Sequence, residues 1–472
     1  MVRKSETIDP FVESVRRFMR LHEMSHGGES ILVAVSGGID SVVMLDVIAR
    51  LSVPLRFSFG VAHFDHGLRE SSTVDADFVR ELATRYRVKA FVASGDVRRI
   101  ADEEGRSVEE TARRERYAFL ERIARRHRYD TVMTGHTADD NAETLMMNLL
   151  RGSGVTGLAG IPPTRRLAGG GTVIVARPLL GQSRHQIEEY ASASELKWRE
   201  DESNQSGEFT RNRVRHELMA LLRTFNPNVV ETLNTTAGLM RDFDRYLSSA
   251  VEAALRGTTV EEPVHGERIL LDVRQLRHLQ PALRGEVVQR AMCETFDIPP
   301  ISHVAVERGL NLIWKETGAR ASLGGRFEAL RDRDTIVLLK NPPVVRDVDR
   351  LFDIGDSVEI AGLTLKTSFF DNGKPKFVSN GKVEYVDADR LPEKLTIRSW
   401  REGDRFHPLG MKGEKKLSDF LIDQKIPLDR KRQVMVITDG DKIIWVCGMR
   451  IDERFKVNPK TQRILKMELQ TI

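Results

Sequence analysis

Two short stretches of this chain hold residue types whose spacing suits chemistry. In Ser36-Gly37-Gly38-Ile39-Asp40-Ser41, two glycines and two hydroxyl side chains surround a single carboxylate. Glycines at a turn allow positive φ and let a ligand approach the backbone, and the N–H groups there favour an anion when a helix follows. The hydroxyls of Ser36 and Ser41 add donors. Asp40 is the odd member: a carboxylate beside phosphates is repulsive unless a divalent cation lies between them. The turn therefore predicts a nucleotide with Mg²⁺, and Asp40 is the residue that would face the metal. The second stretch, Gly135-His136-Thr137-Ala138-Asp139-Asp140-Asn141-Ala142-Glu143, gathers three carboxylates within five positions. Asp140 and Glu143 stand three apart and share a helix face. Asp139 reads as the N-cap, and capping alone is the commoner reason for such a pair. Three carboxylates exceed what one cap needs, so the cluster predicts an acidic pocket for a metal or an amine.

Both stretches must be held by a scaffold. The run Ile31-Leu32-Val33-Ala34-Val35 reads as a buried strand of the parallel type, and Val42 to Leu51 as the helix behind the turn. A helix from about Asp9 to His22 precedes them. Further on come a strand Arg56–Ala62, a helix Ser72–Tyr86 and a short strand Ala90–Ala93. Ser107 opens the next helix with a capping box to Glu110, and Val108, Ala112, Phe119, Leu120 and Ile123 are its expected buried stripe. Strand Thr131–Thr134 and a helix Asp140–Arg151 follow, then a hairpin from Leu167 to Pro178 turning at Gly169-Gly170-Gly171. This rhythm predicts an α/β fold with a doubly wound parallel sheet, its ligands at the carboxyl ends of the strands. From Asn226 to Trp314 the pattern is mostly helical, with Arg274, Arg277 and Arg284 interleaved. Beyond Pro342-Pro343, short β-branched runs (Val358–Ile360, Leu363–Leu365, Val383–Val386, Val434–Ile437, Ile443–Val446) predict a small strand-rich α+β domain. The expected division is 1–220 catalytic, 221–340 helical, 341–384 a strand-containing connector and 385–472 C-terminal.

The chain has 472 residues, enough for several cores, and a net charge of +4. Cys293 and Cys447 are its only cysteines, too few for a disulfide framework or a Cys-based zinc site. No apolar stretch is long enough to span a membrane and no h-region follows the basic N-terminus, so a cytosolic location is expected. Residues 397–432 carry ten Lys/Arg against six acidic residues, an excess equal to that of the whole chain. Trp400 and Phe406 are interleaved with this run, as a stacking RNA surface requires; the alternative is a solvated basic face over two core aromatics. His63 and His66 have H-x-x-H spacing, but on an extended segment such side chains face opposite ways and no cysteine is near. Lining a nucleotide pocket is the reading taken for His63.

The turn lacks the lysine of GxxxxGK[ST] and the third glycine of GxGxxG. Its S-G-G-x-D-S pattern resembles the pyrophosphate loop of the N-type ATP pyrophosphatases. An ordered set of blocks resembles, more narrowly, the tRNA(Ile)-lysidine synthetase family: Val35–Ser41, His63 to Arg69, Glu110 through Tyr117, Gly135–Glu143, Leu149 through Gly160, Arg177-Pro178-Leu179, Asp201-Glu202-Ser203-Asn204 leading to Arg211–Arg215, and Arg398 through Pro427. The resemblance implies that ATP adenylates the C2 oxygen of the wobble cytidine in a CAU-anticodon isoleucine tRNA, and that lysine then displaces AMP. It implies ATP held by Ser36, Gly37, Gly38, Ile39, Asp40, Ser41 and His63, with Mg²⁺ on Asp40, and L-lysine held by Asp139, Asp140 and Glu143. Arg113 and Arg211 are the residues expected beside Asp40 in catalysis, steadying the transferring phosphate, although both types also serve as plain surface ion pairs. Arg398, Arg401, Arg405, Lys415 and Lys416 are the expected tRNA contacts. No membrane partner is expected; a second copy of the chain, as a homodimer, is carried as a further partner. A tRNA thiolation enzyme is the nearest rival, but it needs a cysteine in the catalytic part, and residues 1–292 contain none. A small-molecule adenylating synthetase is another rival, and it would leave the basic C-terminal run without purpose.

Overall fold

A computed structural model describes residues 9–67, 72–167, 172–199, 209–260, 268–342, 348–360, 362–370, 381–389 and 391–471. They fall into two compact units, Met1–Ser248 and Ser249–Ile472. The first runs α1 (Pro10–Leu21), β1 (Ser30–Ala34), α2 (Ile39–Leu55), β2 (Ser58–Asp65), α3 (Ser72–Tyr86), β3 (Ala90–Ser94), α4 (Val97–Glu104), α5 (Val108–His127), β4 (Thr131–Met133), α6 (Ala138–Leu150), α7 (Val155–Leu158), β5 (Thr164–Arg166), β6 (Ile174–Ala176), α8 (Arg184–Ala193), α9 (Phe209–Arg213), α10 (Met219–Phe225) and the start of α11 (Val229–Thr258).

The sheet order is β3-β2-β1-β4-β6-β5, parallel throughout except for β5, which pairs antiparallel with β6 at the edge. The chain winds outward from β1 in one direction and from β4 in the other. The crevice beyond their carboxyl ends is therefore the switch point where such sheets bind ligands. β1 is buried through Ile31, Leu32 and Val33, and α2 is buried almost all round, from Ile39 to Leu51. An apolar helix under a continuous apolar strand leaves the turn between them little freedom to move.

Most expected elements appear within a residue or two of their places, and the differences have local causes. The cap of α6 is Thr137, not Asp139: its hydroxyl accepts from the Asp140 N–H at 3.3 Å, and the Asp140 carboxylate accepts from the Thr137 N–H at 2.9 Å. That reciprocal pair is a capping box, and it starts the helix two residues earlier than expected. Ser107 does cap α5, accepting from the Glu110 N–H, but Val108 is exposed and the buried stripe runs through Thr111, Phe119, Leu120 and Ala124. The hairpin strands are β5 and β6; its glycine turn lies outside the described residues.

In the second unit, the helices expected after Asn226 are joined by an antiparallel sheet of Arg268–Asp272, Thr335–Lys340, Phe327–Asp332 and Arg320–Gly324. The described residues of 341–384, a range expected as a connector, are part of the C-terminal body. Asp349–Asp353 pairs with Lys394–Ser399, and Leu363–Phe369 with the terminal strand Ile464–Thr471. Phe352, Leu365, Leu395, Ile437, Trp445 and Leu465 share one core there. The stacking expectation for the aromatics is corrected as well. Phe406 is fully buried against Phe420, and Trp400 packs on the same cluster with its indole N–H donated to the Lys431 carbonyl at 2.8 Å. Phe406→Ala is expected to cost about 3–5 kcal/mol of stability, read as a fall in the thermal midpoint. An unchanged midpoint with lost RNA affinity would return Phe406 to the surface role.

Candidate active site

A cavity of about 790 Å³ opens at the carboxyl ends of β1, β2 and β4. Its lining includes Ser36, Gly38, Ile39, Asp40, Ser41, His63, His66, Arg116, Gly135, His136, Arg184 and Trp198. That volume suits a nucleotide-sized ligand. The phosphate turn leaves β1 with Gly37 at φ +98°, a conformation that excludes an ordinary side chain. Gly38 caps α2 in extended backbone, which puts Asp40 in the first turn of the helix. The Ser41 hydroxyl sits inside the turn. It accepts from the N–H groups of Ser36 and Gly37 at 3.1 and 3.2 Å and donates to the Gly38 carbonyl at 2.8 Å. Gly135, at the end of β4, packs on the same turn: a Cβ there would stand 3.3 Å from the Asp40 carbonyl carbon and the Ser41 nitrogen.

Asp40 is held by Arg184 from the start of α8, one guanidinium nitrogen lying 2.8 and 2.7 Å from its two oxygens. Burial outweighs that attraction and pushes the Asp40 carboxyl up to about 6. His63 lies at the buried end of β2, its Nδ1 2.8 Å from the Val35 carbonyl. Because β2 stops at Asp65, His66 lies beyond the strand and also lines the cavity. The strict alternation expected of an extended pair does not hold there. Among the described residues, no group of three His, Cys, Asp or Glu could hold a metal. His136 contacts the Thr134 hydroxyl at 3.0 Å, and burial pushes its imidazole down to about 3.

The acidic trio lies beside this cavity, under arginines. Glu143 is nearly fully buried and accepts two hydrogen bonds from Arg215, at 2.6 and 2.9 Å, and one from Arg211 at 3.5 Å. One Asp140 oxygen closes the capping box, and the other meets Arg215 at 3.3 Å and Arg211 at 3.5 Å. Asp139 turns away toward the start of α8, accepting from the Arg184 N–H at 2.8 Å and from Arg223 at 2.9 Å. The trio is thus split into a pair facing two guanidiniums and a third residue serving another helix. Arg211 lies on α9 and Arg215 in the π-helical turn Val214–Leu218 that follows. Such turns are frequent at functional sites. Arg113 is exposed and packs against the Tyr117 ring; Arg116, one turn along the same face of α5, is the arginine that reaches the cavity wall.

Residues 10–222 match the model of the PP-loop domain family, and residues 395–469 that of the TilS substrate C-terminal domain. The chain is 35% identical to the tRNA(Ile)-lysidine synthase of Symbiobacterium thermophilum, over 98% of each chain. It is 34% identical to that of Dehalococcoides mccartyi, covering 98% of this chain and 99% of the other. The chain belongs to the tRNA(Ile)-lysidine synthase family. The enzyme of Geobacter sulfurreducens matches equally well, at 35% identity over 95% of each chain.

In this chain, most of the basic residues expected to meet RNA have carboxylate partners. Arg398 is buried and forms two 2.9 Å bonds to Asp404. Arg401 pairs with Asp349, Arg405 with Glu414 and Lys415 with Asp423. Lys416 is exposed at the start of the helix Leu417–Asp423. Exposed pairs are weak and can be exchanged for phosphate, but the buried Arg398 pair is costly to break. Arg398→Ala is therefore expected to lower the thermal midpoint, whereas Lys416→Ala is expected to weaken RNA binding with the midpoint unchanged. The reverse pattern would make Arg398 an RNA contact. An exposed aromatic flanked by guanidiniums does exist, at Trp314, which has Arg277 5.0 Å and Arg284 5.9 Å from its ring.

Several site residues were not singled out from the sequence. Arg184 and Arg223 stand far along the chain from their carboxylates, and nothing local marks them. Arg215 had a signal, since Arg211 and Arg215 are four apart on one helical face.

Proposed function

We propose that the cavity holds ATP against the target cytidine and that the Asp140–Glu143 pocket beside it receives L-lysine. As a member of its family, the chain is a ligase that forms a carbon–nitrogen bond using ATP. The cytosine C2 oxygen attacks the α-phosphate, the bond to the β-phosphate breaks and pyrophosphate leaves. The lysine amine then attacks C2, AMP departs, and the product is lysidine, which pairs with A. The substrate is the isoleucine tRNA with a CAU anticodon, and the location is cytoplasmic; among the described residues no helix is long and apolar enough to cross a membrane. One observation carries this reading: the glycine turn bearing Asp40 lines the cavity, and the Asp140–Glu143 pair lies beside it at the neighbouring strand end.

In the assigned roles, the amides of Ser36 to Ser41 hold ATP phosphates, the Ser41 hydroxyl yielding its place to a phosphate oxygen. His63 walls the nucleotide side. Asp40 fits Mg²⁺, because that ion keeps most of its waters and needs only one or two protein carboxylates beside the substrate phosphates. Bound there, it would neutralise charge on the phosphates. Arg184 must release Asp40 first. Arg211 is assigned to the phosphate and Arg116 joins Arg113 as its partner, since a guanidinium fork suits phosphoryl oxygens. The ammonium of lysine would replace Arg215 on Glu143. RNA recognition is assigned to the 221–340 and 385–472 parts, through Lys416 and the exchangeable Arg401, Arg405 and Lys415.

The deciding assay is transfer of radiolabelled lysine to a CAU-bearing isoleucine tRNA transcript; no incorporation overturns the reading. A pH profile tests the role of Asp40. The carboxylate is the form that would hold a cation, and it is lost as pH falls through about 6. kcat/KM for ATP reports free-enzyme groups, so it is expected to fall about tenfold per unit below that point. His136, pushed down to about 3, stays neutral there and adds no limb between pH 5 and 8. A limb that vanishes in His136→Asn would reassign it.

A further inference from the structure

α5 and the β5–β6 hairpin bring four arginines to one tyrosine. The guanidinium carbon of Arg165 lies 4.9 Å from the Tyr117 ring centre, and those of Arg113 and Arg116 each lie 5.7 Å away. Arg177 stands against the Tyr117 hydroxyl and is 2% exposed. It donates to the Pro162 carbonyl at 2.5 Å, while its Nε is buried with no partner. Among the described residues, none of the four has a carboxylate partner. A lone buried cation such as Arg177 is expensive, and three further guanidiniums gathered around the same tyrosine without a counter-charge ask for an anion. The field of the group is visible on its neighbours. Burial raises the Tyr117 hydroxyl, yet the guanidiniums outweigh it and leave the group below its ordinary value. After burial, Arg177, Arg116 and Arg113 also push His136 down, and His136 lines the cavity.

We propose that Arg165 and Arg177 extend the Arg113–Arg116 pair, which borders the transferring phosphate, into a second phosphate site beyond the Ser36–Ser41 turn. Arg116 reaches the cavity wall while Arg113 and Arg165 are exposed, so the group runs from the reacting centre out to solvent. A polymer entering the site follows such a path, and an RNA phosphodiester beside the target nucleotide is the ligand it fits. The pyrophosphate leaving group has the same chemistry and is the other source. The choice of RNA rests on the reading of the substrate given above; the existence of the site does not.

Arg165 is the residue to change, because it is exposed on an edge strand and its loss leaves the core intact. Arg165→Ala, Arg165→Lys and the parental chain are compared for affinity toward the tRNA transcript across salt concentrations, for ATP affinity, and for inhibition by inorganic pyrophosphate. In Arg165→Ala the tRNA dissociation constant is expected to rise about 3- to 10-fold at low salt, and the log–log salt slope to shrink by about 0.7 to 1. ATP affinity and pyrophosphate inhibition should not change, and Arg165→Lys should restore the slope. Weakened pyrophosphate inhibition with unchanged tRNA binding keeps the phosphate site and changes its source. No change in either overturns the site. Failure of the parental chain to transfer lysine would sink the substrate reading alone, since both binding measurements stand without turnover.

Discussion

Asp40→Asn is expected to lower pyrophosphate release by about 10²- to 10³-fold, the scale of losing one preorganised electrostatic group at a reacting centre. Affinity for tRNA should stay near the parental value. Asp40 is the one carboxylate inside the phosphate turn, and asparagine keeps its shape and the bond from Arg184 while removing the charge a cation needs. Folding is not at stake, since the buried carboxyl already resists ionisation. Tritiated tRNA binding and ATP–pyrophosphate exchange measured on one preparation separate the two effects. Parental exchange in the variant would remove Asp40 from any metal role.

The second large effect belongs to Glu143. Glu143→Ala would strand Arg211 and Arg215 over an empty buried position, at a cost of about 3–5 kcal/mol, and the result would be hard to tell from unfolding. Glu143→Gln keeps the volume and one acceptor. It is expected to raise KM for lysine about 10²-fold with little change in KM for ATP, because a charge-assisted bond to the substrate cation is replaced by a neutral one. Equal changes in both constants would mean that the pocket serves the nucleotide.

The scaffold of the site was legible because its signals are local. A five-residue apolar run, a glycine pair and an amphipathic stretch define β1, the turn and α2 without help from elsewhere, and α3 needed only its own periodicity. The charge pairing was not legible. Glu143 meets Arg215, and Asp40 meets Arg184, across chain separations that only the fold closes. Arg113 and Arg116 sit three apart on one face of α5, so spacing alone could not say which would reach the cavity. Trp400 and Phe406 misled for a related reason: aromatics among basic residues look alike whether they face RNA or a core, and Phe406 was settled by Phe420 and Leu417 beneath it. The sheet within the middle part was missed because its two central strands, Phe327–Asp332 and Thr335–Lys340, are buried on both faces over most of their length and carry no alternation to read.

Gly135 bears on how such a site can be modified. Its missing side chain is the clearance between the turn after β1 and the turn after β4. The two turns are therefore geared together, and neither can be exchanged as an independent module. A graft of the 135–143 segment into a related scaffold that carried any larger residue at its head would shift the phosphate turn by several tenths of an ångström. New amine specificities would have to be bred within α6 and beyond, downstream of that shared hinge pin, with both turns inherited as one part.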